Sequence, residues 1–156
     1  MAADALPFTT FNFRVNLEVP GAGLLCEAAF SDCDGLEMSM APKSIREGGN
    51  NGRPIHLVGP ISYGQLTLKR GMTSDFALWR WFDRTQRERN LRAWGEIHIL
   101  TPKGECEGEC KGTPQVKFSL TNCLPVKIKA PALSGKDGLI AIEEMQIVYE
   151  TLALQI

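Results

Sequence analysis

Almost no net charge, only two histidines and no long apolar run distinguish this 156-residue sequence, and each shortage removes a class of function. Lys and Arg number 17 against 18 Asp and Glu, so no overall field exists to gather nucleic acid or an anionic membrane. No stretch approaches the roughly 20 apolar residues of a membrane helix. Met1 to Leu6 carries neither a cation nor an apolar run; it does not read as a secretory leader, and synthesis and folding in the cytosol are expected. Uninterrupted helical stretches are scarce too. The 15 glycines and 9 prolines cut the chain into short pieces, which disfavours helix bundles and coiled coils. There is no internal repeat and no low-complexity segment.

What is present is the composition of one globular domain over residues 1–156, with 44% hydrophobic and 22% charged residues. Phe11, Phe13, Val15, Leu17 and Val19 alternate with Asn12, Arg14, Asn16 and Glu18, which predicts a half-buried strand. Leu24–Phe30 and Leu36–Met40 read as strands separated by a break at Ser31–Gly35. Ile61–Lys69 is a strand with a bulge near Gly64. Leu91–Leu100 alternates again. Val116–Ala130 reads as one long strand bent near Pro125, and Leu139–Leu154 as a last strand whose alternation slips at Glu143-Glu144. One helix is expected from Asp75 to Arg87, capped by Ser74, with Phe76, Trp79 and Phe82 as its apolar stripe flanked by Leu78 and Trp81. Together these predict a mainly β fold, an antiparallel β-barrel or a two-sheet sandwich with one flanking α-helix.

Between these elements lies a long polar stretch from Pro42 to Pro60. A connection of this length in a compact domain is usually functional or disordered. Asn51-Gly52 is a hairpin signal, so a projecting β-arm is one reading.

Catalytic signatures are missing. His56 and His98 have no Ser or Cys in a triad-like context, and Gly48-Gly49 lacks the Lys and the strand-to-helix setting of a phosphate loop. Glu143 and Glu144 are adjacent on a strand, so they point to opposite faces. The odd set Cys26, Cys33, Cys106, Cys110 and Cys123 disfavours a disulfide framework. Cys26 reads as a small core residue. Cys106 and Cys110 are compatible with half a zinc site, but a second pair at diagnostic spacing is lacking. No cofactor is expected.

Charge is unevenly spread. Lys69 to Arg92 holds seven basic and three acidic residues, whereas Glu27 to Glu37 holds four acidic and no basic one. Opposite patches on one chain suit head-to-tail contacts between copies; they serve equally to keep a protein soluble.

Several runs, in order and spacing, resemble the tail-tube proteins of phages and contractile injection systems. They are Phe11-Asn12-Phe13-Arg14-Val15, Asp34-Gly35-Leu36-Glu37 (Asp34 standing for the family's Ser), Arg46-Glu47-Gly48-Gly49-Asn50 and Tyr63 to Gly71. After them come the helix with Trp79, Asn122 to Lys127, and a last strand with Ile142-Glu143 and Glu150. The loop Gly104–Gly112, with its Cys-Glu-Gly-Glu-Cys, departs from that pattern.

The resemblance implies a β-barrel-like fold related to the type VI secretion tube protein. It implies a structural and non-catalytic subunit that forms homohexameric rings. Rings stack into a hollow tube inside a contractile sheath, and contraction drives the tube through a target membrane. Expected partners are the chain itself, the sheath protein, baseplate and tube-end proteins, and effector cargo in the lumen, without recognition of nucleic-acid sequence. Assembly in the cytoplasm would precede incorporation into a phage-tail-like particle. Inter-subunit contacts are expected at Arg46, Glu47, Gly48, Gly49, Asn50 and Arg53 of the long loop, at Phe11 and Phe13 through strand-edge pairing, and at Lys69 and Arg70. Two other roles fit the same fold: a tube-end ring at the baseplate or cap, and a secreted ring carrying effectors.

Overall fold

A computed structural model describes residues 12–28, 30–49, 51–100 and 114–156. The side chains of Cys26, Glu27 and Ala28 are outside the described set, as are Phe11, Asn50, Cys106 and Cys110. The elements in chain order are β1 (Phe13–Val19), β2 (Gly23–Ala28), β3 (Asp32–Asp34), β4 (Met38–Met40), β5 (Lys43–Ile45), β6 (Ile55–Leu57), β7 (Ile61–Tyr63) and β8 (Gln65–Gly71). They continue with α1 (Ala77–Arg87), β9 (Ala93–Leu100), β10 (Pro114–Lys129), β11 (Ile142–Val148) and β12 (Thr151–Gln155).

Antiparallel pairing runs β2-β1-β9-β10-β11-β8-β3, with β12 also on β10. The order ends at β2 and β3 rather than closing on itself. Of the two architectures expected, the open sheet folded into a sandwich is the one observed, with α1 packed against it. β10 makes the fold possible. Its first half pairs with β9 and β12, and its second half, Leu124–Lys129, pairs with β11. The change of partner coincides with two register shifts, at Leu120/Cys123 and Pro125/Lys127. Asn122 takes a positive φ of 50° there, a conformation that Asn tolerates better than most residues.

The core is built from alternate positions. Val15, Leu17 and Val19 of β1, Ala93 and Ile97 of β9, Leu66 and Leu68 of β8, and Met145 and Ile147 of β11 meet Leu78 and Trp81 of α1. The helix departs from expectation in two ways. It begins at Ala77, and the Asp75 carboxylate accepts from the Ala77 N–H at 3.1 Å in place of a Ser74 cap. The Asp75 carbonyl is occupied by Arg70 Nη2 at 2.9 Å, which holds this residue outside the first turn. The buried stripe is Leu78 and Trp81, while Phe76 is exposed.

Two further expectations need correction. The break at Ser31–Gly35 contains β3, where Asp32, Cys33 and Asp34 lie opposite Lys69, Leu68 and Thr67; opposite charges facing each other favour this pairing. The alternation of β11 does not slip. Glu143, Met145, Ile147 and Tyr149 all face inward, and the apparent slip is a glutamate in a core position. Among the described residues, no helix is long and apolar enough to cross a membrane.

Candidate assembly surfaces: the arm and its root

The polar stretch folds as a two-stranded arm. β4 pairs with β7 (Met38↔Tyr63 to Met40↔Ile61), and β5 pairs with β6 (Lys43↔Leu57 to Ile45↔Ile55). The hydroxyls of Ser39 and Ser62 meet at 2.8 Å across the ribbon. At the tip, the positive φ falls on Gly49 rather than at Asn51-Gly52. An open hollow of about 430 Å³ there is lined by Arg46, Glu47, Asn51, Gly52, Arg53 and Pro54. The fold thus gathers the Arg46, Glu47 and Arg53 singled out in the sequence, while Asn50 lies outside the described residues.

The arm leaves much apolar surface in solvent. Met38, Met40, Ile45, Leu57, Val58 and Ile61 are all exposed. An isolated two-stranded ribbon is marginal in water, and contiguous exposed apolar surface marks an interaction site.

The root of the arm, by contrast, is clamped. The Tyr149 hydroxyl accepts from the Glu37 N–H at 3.2 Å and lies 2.8 Å from the Gly35 carbonyl oxygen. Its ring packs on Tyr63 with centroids 5.9 Å apart. Burial pushes the Tyr149 hydroxyl pKa up, against the lowering effect of the Glu37 N–H. Gly35 has φ +97°, and a Cβ there would fall 1.9 Å from the Gln65 carbonyl oxygen. A Cβ on Gly64 would sit 2.3 Å from Glu37 Cγ. Asp34-Gly35-Leu36-Glu37 and Tyr63-Gly64-Gln65 are therefore one structural unit, brought together by Tyr149.

A second unit joins α1 to the sheet. Arg70 Nε donates to Glu143 Oε1, and Trp79 Nε1 donates to Glu143 Oε2 at 2.9 Å. Arg70 Nη1 stands 3.6 Å from the Asp75 carboxylate, and the guanidinium lies 5.9 Å from the Phe30 ring centroid. The side chains of Arg70 and Glu143 are 4% and 2% exposed. The expectation that Arg70 serves a surface contact is corrected by this burial, because its donors are spent inside the subunit. Lys69, on the opposite face of β8, is 44% exposed and 4.0 Å from Glu144. A third unit stabilises the bend of β10: Asn122 Nδ2 donates to Glu150 Oε2 at 2.7 Å, and the Glu150 N–H donates to the Thr121 carbonyl at 3.0 Å.

The edge-pairing expectation for β1 is also corrected. Val15–Glu18 is paired on both sides, by β2 and β9; within β1, Phe13 and Arg14 lack a β2 partner and Val19 lacks a β9 partner. The edges of the sheet are β2 and β3. His98 is largely covered and lies 3.2 Å from Glu96. Burial raises the thiol of Cys33 to about 11 and that of Cys123 to about 12, so neither ionises near neutrality. Among the described residues no three His, Cys, Asp or Glu side chains are grouped to hold a metal; the Cys106/Cys110 pair is outside that set.

The described residues thus form an open antiparallel sheet with edges at β2 and β3, an exposed apolar arm and three internal polar ties. The sequence profile of the T4-like virus tail tube protein gp19 matches residues 9–153, and the chain belongs to this tail tube family. Its fold is similar to a chain in the anti-feeding prophage (AFP) baseplate, with 24% identity, 97% of each chain covered and a TM-score of 0.81. It is also similar to a chain in the sheath-tube complex of the PVC extracellular contractile injection system (18% identity, 97% of this chain and 93% of that one, TM-score 0.77). A chain in the PVC sheath/tube terminator is as close in fold (18% identity, 99% and 100% covered, TM-score 0.77). No curated protein matches the sequence.

Proposed function

We propose that this chain is the repeating inner-tube subunit of a contractile injection particle. Six copies close into a ring, rings stack into a hollow tube, and a surrounding sheath drives that tube through a membrane. The observation that carries the reading is the family match over residues 9–153. It is supported by two separate exposed apolar stretches: the arm, and the segment holding Leu133, Leu139 and Ile140. A subunit that stacks indefinitely needs two unlike surfaces, each covered by a copy of the other.

In this reading the edges at β2 and β3 pair between neighbours in a ring, and Phe11 and Phe13 supply further inter-subunit contacts. The arm tip, with Arg46, Glu47, Gly48, Gly49, Asn50 and Arg53, reaches the next ring. Lys69 supplies a further contact. Sheath, baseplate and tube-end proteins are the partners, and cargo passes through the lumen. Stiffness and a bore suffice, so no catalysis is involved. Subunits assemble in the cytoplasm and end in a phage-tail-like particle.

A second reading, a tube-end ring, is favoured by the fold similarity to the PVC terminator over 99% of this chain. Negative-stain electron microscopy of the purified protein, with its mass in solution, separates the two. Long hollow tubes are expected. Isolated rings that never lengthen would support the tube end instead, and a monomer at all concentrations would overturn both.

A further inference from the structure

The solvent side of the sheet formed by β1, β9 and β10 holds a hollow of about 360 Å³. In register across the strands, Asn16 lies beside Glu96 and Glu96 beside Ser119; Glu18 lies beside Trp94, and Leu24 of β2 beside Glu18. Trp94 is 56% exposed and Leu24 is 50% exposed, so an indole and an isobutyl group wall the hollow without covering. Among the described residues neither Asn16 Oδ1 nor Ser119 Oγ has a hydrogen-bond partner, although both atoms are buried. Orphaned oxygens of this kind cost stability until a donor reaches them.

Charge decides what can enter. No Lys, Arg or His lines the hollow. Glu96 is already engaged by Lys117 Nζ at 2.6 Å and His98 Nε2 at 3.2 Å. Lys117 and His98 sit one row along the strands, on the side away from Trp94. Glu18 has no ion pair among the described residues. Among the described residues the hollow therefore offers one unspent carboxylate, an open aromatic face and acceptors, which together fit a flat cation with several donors.

We propose that this hollow binds an arginine side chain carried by a polypeptide, with the guanidinium stacked on Trp94, paired to Glu18 and donating to the floor at Asn16 and Ser119. A free guanidinium would find few contacts in so open a site; the attached chain supplies the rest. The site does not depend on the tube reading, and the variants below leave ring or tube morphology as a separate readout.

The test is calorimetric titration of the purified full chain with blocked Gly-Arg-Gly peptide, its citrulline isostere and guanidinium chloride at matched ionic strength. Saturable binding of the arginine peptide is expected, with none for citrulline and far weaker binding of free guanidinium. Trp94→Leu should weaken it about tenfold and Glu18→Gln about threefold. Circular dichroism checks folding, and Glu18→Gln, at an exposed position, carries the test if Trp94→Leu does not fold. Equal binding of the citrulline peptide, equal binding of free guanidinium, wild-type affinity in Glu18→Gln, or no binding of the arginine peptide would each overturn the proposal.

Discussion

The body of the sheet and the arm obey opposite rules. In the body, alternate residues are buried, and even a guanidinium and a carboxylate are paired out of solvent. In the arm, side chains of both polarities face water, and beyond its root two short ladders and a few polar contacts across the ribbon hold it together. The body has the internal contacts of a finished domain; the arm has the composition of half an interface. Stability and assembly should therefore separate by region.

The largest effect on stability is expected at the buried ion pair. Glu143→Ala strands the Arg70 guanidinium and removes the partner of Trp79 Nε1, and should cost about 3–5 kcal/mol in chemical denaturation. The joint replacement Arg70→Met with Glu143→Leu should recover most of that loss, since no charge is left buried. Failure of the pair to recover would mean that the tie to α1 matters beyond its charge.

Next comes the boundary between the regions. Tyr149→Phe removes the hydroxyl that binds the arm root and should cost about 1–3 kcal/mol. Hydrogen exchange should show faster opening at Glu37, with the β9 amides unchanged. Equal loosening everywhere would erase the distinction drawn between root and body.

At the arm tip the order inverts. Reversing both Arg46→Glu and Glu47→Arg should change monomer stability by less than about 0.5 kcal/mol. It should nonetheless prevent tubes or rings in negative stain. Tubes of wild-type length from the double variant would remove the tip from the interface.

The smallest effect concerns pH. A hydrogen bond from Lys117, aided by His98, holds the Glu96 carboxyl below its ordinary value of 4.5. A depressed folded-state pKa contributes stability above the unfolded value and loses it as pH falls through the folded one. Glu96 is 41% exposed, so solvent screening keeps the contribution below about 1 kcal/mol. Denaturation midpoints of Glu96→Gln and wild type should converge below the carboxylate range.

Period-two alternation was enough to read β1, β8, β9 and β10 from the sequence, because each has one dry face. The arm was legible only as a long polar stretch with a turn signal. Its short strands have no buried face, so no pattern marks their limits. The three polar ties were harder still. Glu143 sits at a core position, where a carboxylate reads as an error of register until Arg70 and Trp79 are seen around it. Those partners are 73 and 64 residues away, a separation that periodicity cannot bridge. Tyr149 was not singled out in the sequence, because its hydroxyl's role depends on Gly35 and Glu37, more than a hundred positions earlier.

The long strand β10 has a mechanical meaning. Its 16 residues extend over roughly 50 Å at the usual rise of a strand, and one stretch of covalent backbone serves both halves of the sheet. A load applied to β9 or β12 passes to β11 along peptide bonds, without crossing a seam of side chains. The Asn122 bend, fastened to Glu150, is then the joint at which such a load would first register. A subunit made this way carries load between its two halves through one strand, with the Asn122 bend lying in that path.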